Sequence, residues 1–341
     1  MADFEFLFKI GVFKKSISEQ QQVLADYWAK GSDIITGSGI EPLPMPKAWG
    51  SLKRNYFSVL FIAIFHILEI PENRIRLYSR LNHCLRAWVT ACDNLLDDEL
   101  KEMFLTDLPE SAQIFKSVHT LLVVDRIFFQ FLLDAKREGS IDEEELEKLL
   151  KISLNSMVAS GVEEANEEQG VEYNLTPQEV LDQVHIYKTG HLFTSPLAAP
   201  FALGDIKDVA QGEAIRDGLL NFGLGCQILD DLTDLGMDLA CRKHNYIIAE
   251  VMQGEDDPER GALQQLMASE DDSFYRDDIK LYRKFPLATQ AAQSKANELF
   301  EYSLKRLSEG GLPMSKTNRM LFIKTLSALL GYPELLAKIR G

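Results

Sequence analysis

The sequence predicts an all-α protein. Nearly every long segment repeats apolar residues at i, i+3, i+4 and i+7, the pattern of a helix with one face on a core. No alternating strand run and no Asn-Gly hairpin signal interrupts that pattern. Helix start and stop residues also stand where the pattern begins and ends.

In chain order the periodic segments are 18–31, 51–70, 72–103, 110–138, 141–169, 176–203, 211–239, 287–309 and 315–330. Ser140-Ile141-Asp142-Glu143 and Thr176-Pro177-Gln178-Glu179 read as helix starts, the second with proline at the first helical position. Gly139, Gly170 and Gly204 fall where helices should end. The most apolar run, 57–70, is shorter than the ~20 residues of a membrane span and contains His66 and Glu69, so a buried core helix is expected there. Residues 1–45 read as an N-terminal extension with its own helix. The acidic, proline-marked stretch 253–286 reads as an insert or connection within one domain spanning 1–341.

With 341 residues and 46% hydrophobic content the chain can bury a large core. Its net charge of −16 argues against nucleic acid or an anionic membrane surface as a partner, since both select a basic face. Cys84, Cys92, Cys226 and Cys241 form no CxxC pair and are expected to be reduced thiols. The N-terminus carries early acids and lacks a small-residue cleavage pattern, so no signal peptide is expected and the cytoplasm is the default location.

Two acidic clusters carry the chemistry. DNLLDDE (93–99) follows an apolar helical stripe, and on a helix Asp93 and Asp97 share a face one turn apart. In QILDDLTDLGMD (227–238), Asp230, Asp234 and Asp238 recur every four residues, with Asp231 beside them. Like charges so close call for a compensating cation. Hard divalent ions such as Mg²⁺ take oxygen ligands and are often completed by substrate phosphates. Metal ions would also let a strongly acidic protein bind an anionic ester. An EF-hand reading fails at Leu235, which stands at a ligand position.

In order and spacing these residues resemble the trans-isoprenyl (polyprenyl) diphosphate synthases and, more broadly, the class I isoprenoid synthases. Gly50-Ser51-Leu52-Lys53-Arg54 looks like the family's GGKR segment, and DNLLD resembles its first aspartate-rich motif. Tyr187-Lys188-Thr189-Gly190 is similar to its Lys-Thr clamp, and Gln227 through Asp234 is similar to its second motif. The resemblance covers about residues 45–250. It implies a single-domain helical bundle around a central apolar cavity, three Mg²⁺ ions, an allylic prenyl diphosphate as substrate and a homodimer. It further implies that Asp93, Asp97 and Asp230 ligate the metals, with Asp231, Asp234 and Asp238 in support. Lys188, with Thr189 and Gln227, would contact the diphosphate, as would a basic residue after the second motif, Lys243 or its neighbour Arg242. Trp88 and Val89 stand where the family sets pocket depth.

The family's second-substrate cations are less complete. Lys53 and Arg54 are present, but Tyr56 replaces a second arginine, Arg86 stands where a histidine is usual, and Glu102-Met103 take the place of an Arg-Arg pair. Asn94 replaces the second aspartate of the first motif. Losing cations that make charge-assisted bonds of about 1.5–3 kcal/mol each would weaken a second diphosphate site. The sequence therefore leans to a terpene synthase or cyclase on this scaffold. Chain elongation with isopentenyl diphosphate is the alternative, and a non-catalytic partner subunit is a third reading. His185 and His191 are not at metal spacing, and the run Glu163, Glu164, Glu167, Glu168 reads as a solvated face.

Overall fold

The computed structural model describes residues 11–96, 100–172, 175–254, 258–268, 280–313, 315 and 322. Every regular element among these residues is helical, apart from one isolated bridge between Pro42 and Thr106. None of the helices is long and apolar enough to cross a membrane. Among the described residues the chain divides into two compact units, one of 11–154 with 196–209, the other of 155–195 with 210–322.

The first unit contains α1 (Gly11–Ile35), α2 (Leu52–Ile67), α3 (Glu72–Leu96), α4 (Gln113–Arg137) and the first part of α5 (Glu143–Glu167). Helix α2 is buried along its whole middle, from Val59 to Phe65, as expected of the apolar run 57–70. Each large apolar side chain so removed from water contributes about 1.5–3 kcal/mol. Helix α3 packs on α4, and α1 on α2. At the start of α5, Asp142 and Glu145 accept each other's backbone N–H, a capping box that fixes where the helix begins.

The expected helix 72–103 is described as helix to Leu96, and residues 100–103 are not helical. Beyond it the backbone at Lys101 is paired with the buried Asn94 amide, while Leu43 N–H donates to Leu105 C=O and Asp107 N–H to Glu41 C=O. These partners outside the helix satisfy groups that a helical ladder would otherwise need.

In the second unit the expected helix 176–203 is a series of pieces that ends in the first unit. Thr176 and Glu179 form a capping box with Pro177 at the first turn, then Val180–Gly190 is π-helical, His191–Thr194 is α, Ser195–Leu197 is 3₁₀ and Ala198–Ala202 is α. Pro196 and Pro200 each lack the N–H that an unbroken ladder requires. The long helix α6 (Val209–Cys241) carries Gly223, where an added Cβ would lie 2.8 Å from the Thr189 carbonyl oxygen. Only glycine permits that approach of α6 to the π-helical segment. Phe222 stacks with Phe193, Phe300 and Phe322 at centroid distances of 5.5, 5.3 and 5.7 Å.

Helix α6 ends in a Schellman-type turn. Arg242 takes the left-handed conformation (φ 56°), and Lys243 N–H donates to the Asp238 carbonyl. Asn245 then caps α7 (Tyr246–Gln253) by accepting from Ile247 and Ile248 N–H. Helices α8 (Pro258–Met267) and α9 (Pro286–Glu309) follow, so α8 occupies part of the stretch read as an insert. Residues expected as glycine stops bear left-handed φ values of 69°, 76° and 72° at Gly139, Gly170 and Gly204. All but two residues of the expected segment 315–330 lie outside the described residues.

Candidate functional site

In the first unit, Asn55 departs from helical geometry (φ −113°, ψ 17°) near the start of α2. Its side-chain N–H donates to the Trp49 and Ser51 carbonyls at 2.6 and 2.9 Å, and its oxygen accepts from Gln20 at 3.2 Å. This ties down the turn that precedes Arg54, whose guanidinium lies 3.8 Å from the Trp49 ring centroid. Arg54 donates to the Glu102 carbonyl at 2.5 Å, and Arg86 of α3 donates to the Arg54 carbonyl at 2.8 Å. Both arginines line a pocket of about 470 Å³ with Trp49, Thr90, Lys101, Glu102 and Met103.

Neither guanidinium has a carboxylate within ion-pair distance among the described residues. Burial, and then the charge of Arg54, lower the Arg86 pKa to about 10. The same surroundings push His83 down to about 3, first through burial and then through Arg86 and Arg54, so its ring is neutral. Burial lowers the Arg54 pKa too, and the charge of Glu102 opposes that, so the two cations lie in each other's field with Glu102 as a more distant acid.

Glu102, read from sequence as hostile to a second diphosphate, is neutralised. Its carboxylate pairs with Lys116 at 3.0 Å, while its carbonyl serves Arg54. Asn94 explains the segment's position: its oxygen accepts from Lys101 N–H at 2.8 Å and its amide donates to Lys101 C=O at 3.2 Å. An aspartate could not make both bonds. Lys116 and the role of Asn94 were not legible in the motif, because each depends on a partner in a non-helical segment.

In the second unit the second aspartate motif splits by burial. Asp230 and Asp234 are exposed one turn apart on α6. Asp231 is buried: it accepts from Tyr246 N–H at 2.6 Å and from Gln227 at 3.2 Å, and lies 3.0 Å from His185 Nε2. Burial opposes its ionisation, yet His185, Tyr246 and Gln227 hold its carboxyl below the usual range. Both its oxygens are engaged within the unit, by Gln227 and by Tyr246 N–H. His185 is buried in the π-helical segment, as expected of a core histidine. Asn245 donates to the Asp231 carbonyl and to the Asp238 carboxylate, each at 2.8 Å. Burial and the neighbouring Asp231 push the Asp238 carboxyl well above its ordinary value.

Lys188 is also engaged. Its ammonium pairs with Glu167 and lies 3.5 Å from Glu164, and these carboxylates raise its pKa against the effect of burial. Glu164 lies 3.5 Å from Lys243 as well. Glu167, read from sequence as part of a solvated face, is buried and also accepts from His244 N–H at 3.0 Å. Thr189 Oγ1 donates to the Gln227 side-chain oxygen, joining the clamp residues to the Asp231 network.

Of the remaining candidates, Lys53 and Asp93 are exposed, and Trp88 and Val89 are half-buried on α3. Asp97 lies outside the described residues. No group of three or more His, Cys, Asp or Glu among the described residues is placed to hold a metal ion. Asp230, Asp234 and Asp238 are hard oxygen donors of the type a divalent ion takes, and the surroundings of Asp238 disfavour its charge. All four cysteines are free thiols, as expected.

No protein-family model matches the chain, and no curated protein matches it in sequence. Solved structures match its fold over nearly the whole length. The polyprenyl synthase of Caulobacter crescentus CB15, complexed with calcium and isoprenyl diphosphate, superposes with a TM-score of 0.62 at 16% identity, covering 96% of each chain. The decaprenyl diphosphate synthase of Rhodobacter capsulatus gives 0.58 at 17% identity, over 95% of this chain and 100% of the other. The geranylgeranyl pyrophosphate synthetase of Pyrococcus horikoshii Ot3 gives 0.58 at 17%, over 96% and 99%. The all-α fold of this chain is that of the prenyl diphosphate synthases.

Proposed function

We propose that the chain is a divalent-metal-dependent prenyltransferase that joins an allylic prenyl diphosphate to isopentenyl diphosphate. The observation that carries this reading is the Arg54–Arg86 pocket, where neither guanidinium is in an ion pair among the described residues. A cyclase acting on one diphosphate has no use for a second anion site. The sequence argument for a cyclase rested on Tyr56, Arg86 and Glu102-Met103, and the pairing of Glu102 with Lys116 weakens the part that concerns Glu102. The neighbours in fold are synthases of long diphosphates, which supports the same choice.

Bound magnesium, three ions by the resemblance, would supply the positive charge that stabilises the departing diphosphate. From the resemblance we assign metal-holding roles to Asp93 and Asp97 in the first unit and, separately, to Asp230 and Asp234 in the second, with Asp238 in support. Lys188 and Lys243 would contact the diphosphate oxygens directly, and Arg54 and Arg86 would orient the second substrate. The Asp231–His185–Asn245 network keeps the acidic face of α6 in register. Trp88 and Val89 would wall the prenyl chain. We extend the proposal to a homodimer, because Phe115, Leu122 and Phe129 expose 51%, 56% and 41% of their surface at seven-residue spacing on α4. Light scattering reads that directly, and a monomer would rule it out.

The test is incubation of the purified protein and Mg²⁺ with geranyl, farnesyl or geranylgeranyl diphosphate, each with and without isopentenyl diphosphate. A longer diphosphate formed only with both substrates is expected. Pyrophosphate release and a hydrocarbon or alcohol from the allylic substrate alone would return the assignment to a cyclase. No turnover without an added synthase subunit would favour the partner role.

A further inference from the structure

We infer that Glu164 is a built-in stand-in for the diphosphate, a displaceable carboxylate that holds Lys188 and Lys243 until the substrate arrives. This rests on the reading of those lysines given above. The two glutamates at Lys188 differ in kind. Glu167 is 1% exposed and has a second, fixed donor in His244 N–H, so it is anchored. Glu164 is 27% exposed, and among the described residues its side chain makes the two ion pairs and no hydrogen bond beside them. Its Oε1 lies 3.5 Å from Lys188 Nζ and its Oε2 lies 3.5 Å from Lys243 Nζ. A carboxylate with one oxygen toward each of two ammonium groups mimics the bridging oxygens of a phosphoryl group.

The arrangement has two consequences. At rest, the two lysines are spared mutual repulsion on the way to accepting an anion. In turnover, Glu164 competes with pyrophosphate for the same ammonium groups, which weakens product binding and speeds release. Displacement requires no covalent step. The carboxylate needs only to swing toward solvent, and its partial exposure leaves room for that.

The test compares wild type with Glu164→Gln, Glu164→Asp and Glu168→Gln, using inorganic pyrophosphate with Mg²⁺ in titration calorimetry. Glu168→Gln lies on the exposed side of the same run and should bind like wild type. Removing the competing charge should tighten pyrophosphate binding about tenfold in Glu164→Gln, the size of one charge-assisted contact, and Glu164→Asp should restore most of the wild-type affinity. In steady state, Glu164→Gln should lower both KM for the allylic diphosphate and kcat, the signature of slowed release. Unchanged or weaker pyrophosphate binding in a folded Glu164→Gln protein would overturn the inference while leaving the site assignment standing. Absence of pyrophosphate binding in wild type and all variants would overturn the site assignment together with it.

Discussion

The Arg54–Arg86 pair and the Lys188–Lys243 pair stage their charge in opposite ways. The arginines face a pocket with no carboxylate in ion-pair reach among the described residues, and their only anchors are carbonyls, a serine and the Trp49 ring. The lysines are already compensated, one by a buried glutamate and both by a half-exposed one. An incoming anion at the arginines has no ion-paired carboxylate to displace among the described residues. At the lysines it gains only the difference between itself and the resident carboxylate. The first arrangement favours capture, and the second favours exchange.

The most disruptive way to break the contrast is Glu167→Ala. Removing one partner of a buried ion pair leaves Lys188 and His244 N–H short of an acceptor, and the expected loss in urea unfolding is about 3–5 kcal/mol. At the arginines the opposite is expected. Arg86→Met should leave stability unchanged or slightly raised, since it removes an uncompensated buried charge, while KM for isopentenyl diphosphate rises about 10–100-fold. A stability loss as large as that of Glu167→Ala would show that the pocket charge has a structural partner after all.

His83 sharpens the comparison through pH. Its ring is neutral in the native state with a pKa near 3, below the 6.5 expected when the chain unfolds. Between those values the unfolded chain binds more protons, so this contribution to stability is complete above pH 6.5 and is lost as pH falls toward 3. At pH 5 the loss is on the order of 2 kcal/mol, and His83→Gln should flatten that part of the stability profile. The smallest effect is expected for Asn94→Asp. The acid cannot donate to Lys101 C=O, and about 1 kcal/mol of stability should be lost, with a modest rise in the same KM. Hydrogen exchange at the Lys101 amide would report the loosening.

The helices were legible because their apolar period is local information. Val59–Phe65 could be recognised as core from the run itself, and the Thr176–Glu179 capping box from four letters. The ends of helices were less legible. Residues 100–103 leave the helical pattern where Asn94 and Leu43 offer partners to residues 101 and 105, and such partners are invisible to a periodic pattern. The site divided in the same way. The acids of DDLTD stood out at once, but a motif does not say which acid points inward. Asp231 is drawn in by Tyr246 N–H, fifteen residues on, and Glu167 by His244 N–H, seventy-seven residues on. The turn at Arg242 brings both donors into reach, and its left-handed backbone falls on an arginine, which gives no glycine signal.

The wide coil at Val180–Gly190 makes chain length itself a control on the clamp. A ladder of i→i+5 bonds can lose one residue and close to i→i+4 without leaving a broken turn. The phase of the coil would then shift by about 100° per residue removed, so His185 could not stay on Asp231 while Lys188 stayed on Glu167. A single-codon deletion there would uncouple the anchor from the lysine and leave a well-formed helix behind.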